Sequence, residues 1–201
     1  MAVMGRRGPD GNGYFAHTDV TIGHTRLSIN DLTKHGAQPM SNEDGNLWLS
    51  INDEIYNFKE LRGLLEVKGH QFKSNSDSEV VLHSYEEYGP YFLHSLRGMY
   101  AFALYDQSNK RLILARDPIG KKPLYYAITK NDELIFASEI KAILQYPLKR
   151  EINWLGICSY LAYQYSIGED TLFKGIKKSR YFMWMLVALE LWYGLYFNEA
   201  N

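Results

Sequence analysis

Met99-Tyr100-Ala101-Phe102-Ala103-Leu104-Tyr105, the polar turn Asp106-Gln107-Ser108-Asn109-Lys110, and Arg111-Leu112-Ile113-Leu114-Ala115 decide the fold class. Two apolar runs joined by so short a turn read as an antiparallel hairpin, because a parallel crossover needs a dozen or more residues. The pattern repeats downstream, where residues 124–128 and 133–136 flank Thr129-Lys130-Asn131-Asp132. Upstream, Leu47, Leu49 and Ile51 alternate as in a half-buried strand. Two helices follow it. Asn57 with Glu60 reads as a capping box before Leu61, Leu64 and Leu65, and Gly69 ends that helix. Ser76 with Glu79 repeats the box before Val80, Val81, Leu82 and Tyr85, with Gly89 as the stop. A short helix is expected over residues 138–145, before Pro147, and an amphipathic one over residues 153–164. Strands, a helix pair and then a meander indicate a layered α+β domain. Arg7-Gly8-Pro9-Asp10-Gly11-Asn12-Gly13 reads as loop.

Composition narrows the function classes. The 201 residues are 46% hydrophobic and 22% charged, which suits a chain that buries a core. A net charge of −1 offers no basic stripe for phosphates, so no nucleic-acid partner is expected. With Cys158 alone there is no internal disulfide, and the first residues hold no apolar signal segment, so a cytoplasmic setting is expected. His17, His24, His35, His70, His83 and His94 make no i,i+4 pair, and no metal site is expected. Glycine-rich phosphate loops are also missing. Residues 181–197 are apolar or aromatic apart from Glu190 and Gly194. A span needs ~20 residues, and a central carboxylate is costly there, so a core or interface helix is favoured over membrane insertion.

The chemistry-bearing residues sit at element ends. Arg26 lies in His24-Thr25-Arg26-Leu27, Asn52, Asp53 and Glu54 follow the 47–51 run, and Asp77 opens the second helix. A guanidinium fork can hold a carboxylate, carboxylates can hold an ammonium, and an Asn amide adds a donor, a set suited to an α-amino acid. Taken one at a time each has a plainer reading. Asp77 complements a helix dipole, Arg26 makes a surface ion pair, and Asn52 shapes a turn. Cys158, the one candidate sulfur nucleophile, has no basic neighbour in its helix and reads as a buried structural cysteine.

Several of these segments together resemble one family. Arg7-Gly8-Pro9-Asp10-Gly11, His24-Thr25-Arg26-Leu27-Ser28-Ile29 with Gln38-Pro39-Met40, Asn52-Asp53-Glu54-Ile55-Tyr56-Asn57 and Ser76-Asp77-Ser78-Glu79 are similar to the glutaminase domain of glutamine-hydrolysing asparagine synthases. Arg116-Asp117-Pro118-Ile119-Gly120-Lys121-Lys122-Pro123-Leu124-Tyr125-Tyr126 is the most distinctive match among class II glutamine amidotransferases, and the similarity runs over residues 4–178. The resemblance implies an N-terminal-nucleophile hydrolase fold, a four-layer sandwich with two antiparallel sheets. It implies attack by an N-terminal cysteine on the side-chain amide of glutamine. Carried over by position, Arg26 would bind the α-carboxylate of glutamine, and Glu54 and Asp77 its α-amino group. Asn52 and the backbone N–H of Asp53 would form the oxyanion hole.

Two departures qualify the carry-over. The family's N-terminal cysteine and first strand precede the Arg-Gly-Pro-Asp-Gly loop and are not among these residues, and Asp53 stands where the family has glycine. An added carboxylate beside an oxyanion is unfavourable. The expectation is a chain that does not hydrolyse glutamine as written. The resemblance divides it into a glutaminase-like part at 1–146, a linker and start of a synthetase domain at 147–178, and a divergent tail at 179–201 that reads as frameshifted. No cofactor is expected, since ATP and Mg²⁺ would serve a synthetase domain whose phosphate loop is not in this sequence. Three functions stand open: a truncated glutaminase domain, a glutamine-binding module that does not cleave, and an interaction fragment that self-associates through an uncovered sheet edge and the aromatic tail.

Overall fold

The structure, a computed structural model, describes residues 2–27 and 36–179. Ser28, Ile29, His35 and the tail from residue 180 onward lie outside the described residues. β5 (Gly98–Asp106) pairs antiparallel with β4 (Leu47–Ile55) on one side and β6 (Arg111–Arg116) on the other, and β3 (Met40–Ser41) flanks β4, giving the order β3-β4-β5-β6. Tyr100, Phe102 and Leu104 enter one core, while Ala101, Ala103 and Tyr105 enter another. That is why the run is apolar throughout rather than alternating: both faces of the strand are covered.

The first core is closed by helices. α1 (Phe58–Val67), α2 (Glu79–Tyr88) and a 3₁₀ segment (Gly89–His94) bring Leu61, Leu65, Val80, Val81, Leu82 and Phe92 against β4 and β5. Burying each such side chain contributes roughly 1.5–3 kcal/mol. Leu64, expected in the stripe, is exposed. The second core is closed by strands. β1 (Gly11–Ala16) and β2 (Thr21–Arg26) form one hairpin, and β7 (Tyr125–Ile128) with β8 (Leu134–Ala137) and β9 (Ile176–Lys178) form a sheet of order β8-β7-β9. Ile22, Phe15, Leu124, Leu134 and Phe136 from this layer meet Ala101, Tyr105 and Leu114. α3 (Ile140–Ile143) then packs beneath β7 and β8 through Ile143. The stacking is helix, sheet, sheet, helix, the N-terminal-nucleophile hydrolase arrangement, with the second strand layer described as two separate sheets.

Three local expectations are corrected. Residues 11–13 are strand, not loop, and pair with Arg26, Thr25 and His24. The 47–51 strand runs on to Ile55, because β5 continues to pair with it as far as Gly98. Neither capping box forms. The Asn57 side chain instead bridges Ser95 and Arg97, its Nδ2 donating to the Ser95 carbonyl (2.9 Å) and its Oδ1 accepting from the Arg97 N–H (3.0 Å). Glu79 accepts from the N–H groups of Lys73 and Ser74, both at 2.8 Å, and so binds the turn before the helix rather than Ser76. Within 147–178, β9 pairs with β7 and completes that sheet.

Glycine is required at Gly8 because a Cβ there would run into the Thr25 carbonyl and the Arg26 nitrogen on β2, whereas at Gly11 it would meet nothing within 4 Å. Gly8→Ala should therefore lower stability by roughly 1–3 kcal/mol, as overpacking against backbone does. Gly11→Ala should stay within about 0.5 kcal/mol. Thermal melts of the two variants beside the parent chain check this, and equal losses would contradict the close packing of the loop on β2.

Candidate functional site

β4 carries the central residues, and its pleat sorts them. Leu47, Leu49, Ile51 and Ile55 face the helices, and Asp53 shares their side. There its Oδ1 accepts a 2.9 Å hydrogen bond from the Ser78 hydroxyl, while Oδ2 is shut off from solvent with no hydrogen-bond partner. Asp77, buried beside it at the start of α2, accepts the Ile55 N–H through Oδ2 at 2.9 Å. Burial, and then the negative charge of Asp77, push the Asp53 carboxyl up to about 7, with the Ser78 hydroxyl and the Lys122 cation pulling the other way.

The opposite face of β4 presents Trp48, Ser50, Asn52 and Glu54 by the same alternation. The β1–β2 hairpin lies over it. Phe15 stacks on Trp48 with ring centroids 4.1 Å apart, and His24 Nδ1 and Ser50 Oγ share a 3.1 Å hydrogen bond. His24 and Arg26 are two apart on β2 and point the same way, so this clamp brings Arg26 to the side of β4 that carries Asn52 and Glu54. Burial, and then the Arg26 charge, push the His24 imidazole down to about 4, leaving it neutral at physiological pH. The five expected residues thus divide, with Arg26, Asn52 and Glu54 on the hairpin side and the Asp53 carboxyl and Asp77 on the helix side.

The edge of β4 joins the two groups. Beyond the short pairing with β3, the Ile51 N–H donates to Gln38 Oε1 (2.6 Å) and the Ile55 N–H to Asp77 Oδ2. In an antiparallel strand alternate N–H groups point to the same side. The Asp53 N–H therefore points to this edge, between those two, and not at β5. Left-handed geometry is not needed at Asp53, which is an ordinary strand residue at positive φ neither here nor by register. Its side chain leaves the strand toward Ser78, on the face opposite Asn52, while its own backbone N–H stays close enough to the carboxyl to help lower its pKa.

The Arg116–Lys122 run is a clamp. Asp117, buried, accepts the N–H groups of Lys121 (2.8 Å) and Lys122 (3.0 Å), and its own N–H donates to the Tyr100 carbonyl at 2.7 Å. Arg116 Nε donates to the Lys122 carbonyl at 2.7 Å, and its guanidinium also reaches the Gly120 carbonyl. Tyr100 is the register partner of Asp53, which explains how Lys122 comes to act on that carboxyl.

Cys158 is exposed, contrary to expectation. It lies on α4 (Trp154–Tyr163), which packs through Gly156 against the Thr171 carbonyl, while Trp154, Leu155 and Leu161 stay exposed. Sequence reasoning also missed a cluster of Glu43, His70 and His83, whose ligating atoms lie within 4.8 Å of one another. They come from three separate segments with no shared spacing, so no local signal could have found them. No helix among the described residues is long and apolar enough to cross a membrane.

Residues 1–190 match the glutamine amidotransferase domain family. The chain belongs to that family. It is 43% identical over 172 residues to asparagine synthetase [glutamine-hydrolyzing] 1 of Bacillus subtilis, covering 86% of this chain and 27% of that protein. It is 42% identical over 159 residues to asparagine synthetase B [glutamine-hydrolyzing] of Escherichia coli, covering 79% and 28%. This amidotransferase domain thus spans about a quarter of the length of those relatives. Among solved structures it is similar to glutamine phosphoribosylpyrophosphate (PRPP) amidotransferase from B. subtilis complexed with ADP and GMP, with a TM-score of 0.52 and 25% identity, over 81% of this chain and 35% of that one.

Within the amidotransferase domain, Asp53 sets a pH dependence. Folded, its carboxyl keeps a proton up to about 7, while the unfolded chain releases it near 3.8. The folded state therefore holds the extra proton between those values, and stability falls as pH rises across them. Asp53→Asn keeps the acceptor for Ser78 and removes the ionisation. It should raise stability near pH 8 by on the order of 1–3 kcal/mol, seen as a higher melting temperature, and change it little near pH 4. Melts across that range check this, and a pH-independent effect would contradict a buried ionisable Asp53.

Proposed function

We propose that this chain forms the substrate-binding and oxyanion-stabilising part of a glutaminase site, which releases ammonia from the side-chain amide of glutamine for ATP-dependent amidation of aspartate. Arg26 takes the α-carboxylate of glutamine through its guanidinium fork. Glu54 and Asp77 take the α-ammonium. The Asn52 amide and the Asp53 backbone N–H hold the oxyanion of the tetrahedral intermediate. The observation that supports this most is the Asp53 N–H at the β4 edge between the bonded N–H groups of Ile51 and Ile55, a donor fixed in place by the sheet. A donor that need not reorganise as charge develops is what stabilises such an intermediate.

The attacking group in this proposal is an N-terminal cysteine, with its own α-amino group as base. Among these 201 residues the one thiol, Cys158, sits on α4 rather than on β4 or its neighbours, and has no role in this step. The residues described are assigned no cofactor, and ATP and Mg²⁺ belong to a separate synthetase domain. The compartment that fits this chemistry is the cytoplasm. A glutamine-binding module that does not cleave uses the same residues, and the distinction between the two is the nucleophile alone.

The deciding experiment measures ammonia release and glutamine affinity for the 201-residue chain beside a version extended upstream by a strand bearing an N-terminal cysteine. Glutamine should bind both, and ammonia should come only from the extended chain. Arg26→Ala should abolish measurable binding in both. In the extended chain Asn52→Ala should cut the rate about 10²–10³-fold, the usual cost of one oxyanion donor. Ammonia from the unextended chain, or binding indifferent to Arg26→Ala, would overturn the assignment.

A further inference from the structure

We propose that Glu43, His70, His83 and Glu86 form a binding site for one divalent transition-metal ion, zinc fitting best, on the helical layer and outside the amidotransferase residues. Nothing in the proposal depends on the glutaminase reading. Two imidazoles and two carboxylates are a donor set that suits zinc and its borderline neighbours rather than magnesium or calcium.

The distances fit the ion. Metal–ligand bonds of ~2.0–2.1 Å in a tetrahedron put neighbouring ligand atoms ~3.3 Å apart. His83 Nδ1 lies 2.7 Å from Glu86 Oε2 and 3.8 Å from Glu43 Oε2, and His70 Nδ1 lies 3.5 Å from Glu86 Oε2. These three separations lie within about 0.6 Å of the tetrahedral edge.

The non-ligating atom of every ligand is already held or faced. Glu43 Oε1 accepts the Gln71 N–H at 3.0 Å, and Glu86 Oε1 accepts from Asn42 Nδ2 at 2.6 Å. Behind His70, Glu87 Oε2 lies 3.4 Å from Nε2, and Glu87 is itself paired with Lys68. Behind His83, Glu79 Oε1 lies 3.7 Å from Nε2, and Glu79 is anchored by Lys73 and Ser74. A carboxylate behind each imidazole fixes its orientation and raises its basicity, the arrangement that metal-ligating histidines use. His83 is 1% exposed and its Nε2 has no hydrogen-bond partner within reach, while Glu43 is 34% exposed at the side chain and leaves an entry route.

A bound ion would staple the turn after β3, which carries Glu43, to the segment after α1, which carries His70, and both to α2. The test uses the 201-residue chain with Cys158→Ser, so that an exposed thiol does not compete, stripped with chelator and titrated with Zn²⁺ and with Co²⁺. One ion per chain should bind, with a melting temperature that rises with Zn²⁺ and a Co²⁺ spectrum showing the intense visible bands of four-coordination. Glu43→Gln and His70→Gln, at the exposed and half-buried positions, should each weaken binding at least tenfold and remove the Co²⁺ bands while the metal-free chain melts as before. Absence of binding at millimolar Zn²⁺, or binding that both variants retain, would overturn the site.

Discussion

The nine-residue pairing of β4 with β5, from Leu47 opposite Asp106 to Ile55 opposite Gly98, is the constraint on which the rest of the molecule depends. It extends the strand through Asn52, Asp53 and Glu54, three polar residues that would otherwise leave the sheet as a turn. Once they are held in extended backbone, the pleat sends their side chains to alternate faces and the ladder decides which N–H groups face β5. One face is then filled by α1 and α2, the other by the β1–β2 hairpin. The placement of each candidate residue follows from that register, and a slip of one residue would exchange the two faces.

Asp53 is where that constraint conflicts with solvation. A carboxyl on the helix side of β4 is taken out of water next to Asp77, with one hydroxyl and the Lys122 cation as compensation. The result is a group that stays protonated far above its ordinary range. The Arg116–Lys122 turn supplies that cation from a distance in sequence, because Asp117 ties it to Tyr100 on the strand opposite Asp53.

Much of the architecture was legible along the chain. The β5–β6 and β7–β8 hairpins stand where polar turns separate apolar runs, since a tight turn leaves no room for another topology. The helices stand where glycine stops them, at Gly69 and Gly89, both at positive φ. Their N-terminal side chains were misread for one physical reason. Asn57, Asp77 and Glu79 have hydrogen-bonding options both within their own helix and with distant segments, and here the distant partners prevail. The β1 strand was hidden because Gly13 suits close packing against neighbouring backbone as well as it suits a turn. Gly13 faces the Gln38 carbonyl, where any Cβ would collide.

What the sequence determined by itself is the helix pair, the two central hairpins and the layered α+β class. Those are consequences of local pattern and residue chemistry, which act over a few positions. The tertiary structure alone decided that Asp53 turns toward Ser78 while Asn52 faces the hairpin, that Cys158 is exposed, and that Glu43, His70, His83 and Glu86 converge. Each of these depends on which distant segment occupies the space beside a residue. Burial, charge proximity and hydrogen-bond partners are properties of that packing, and no spacing along the chain encodes them.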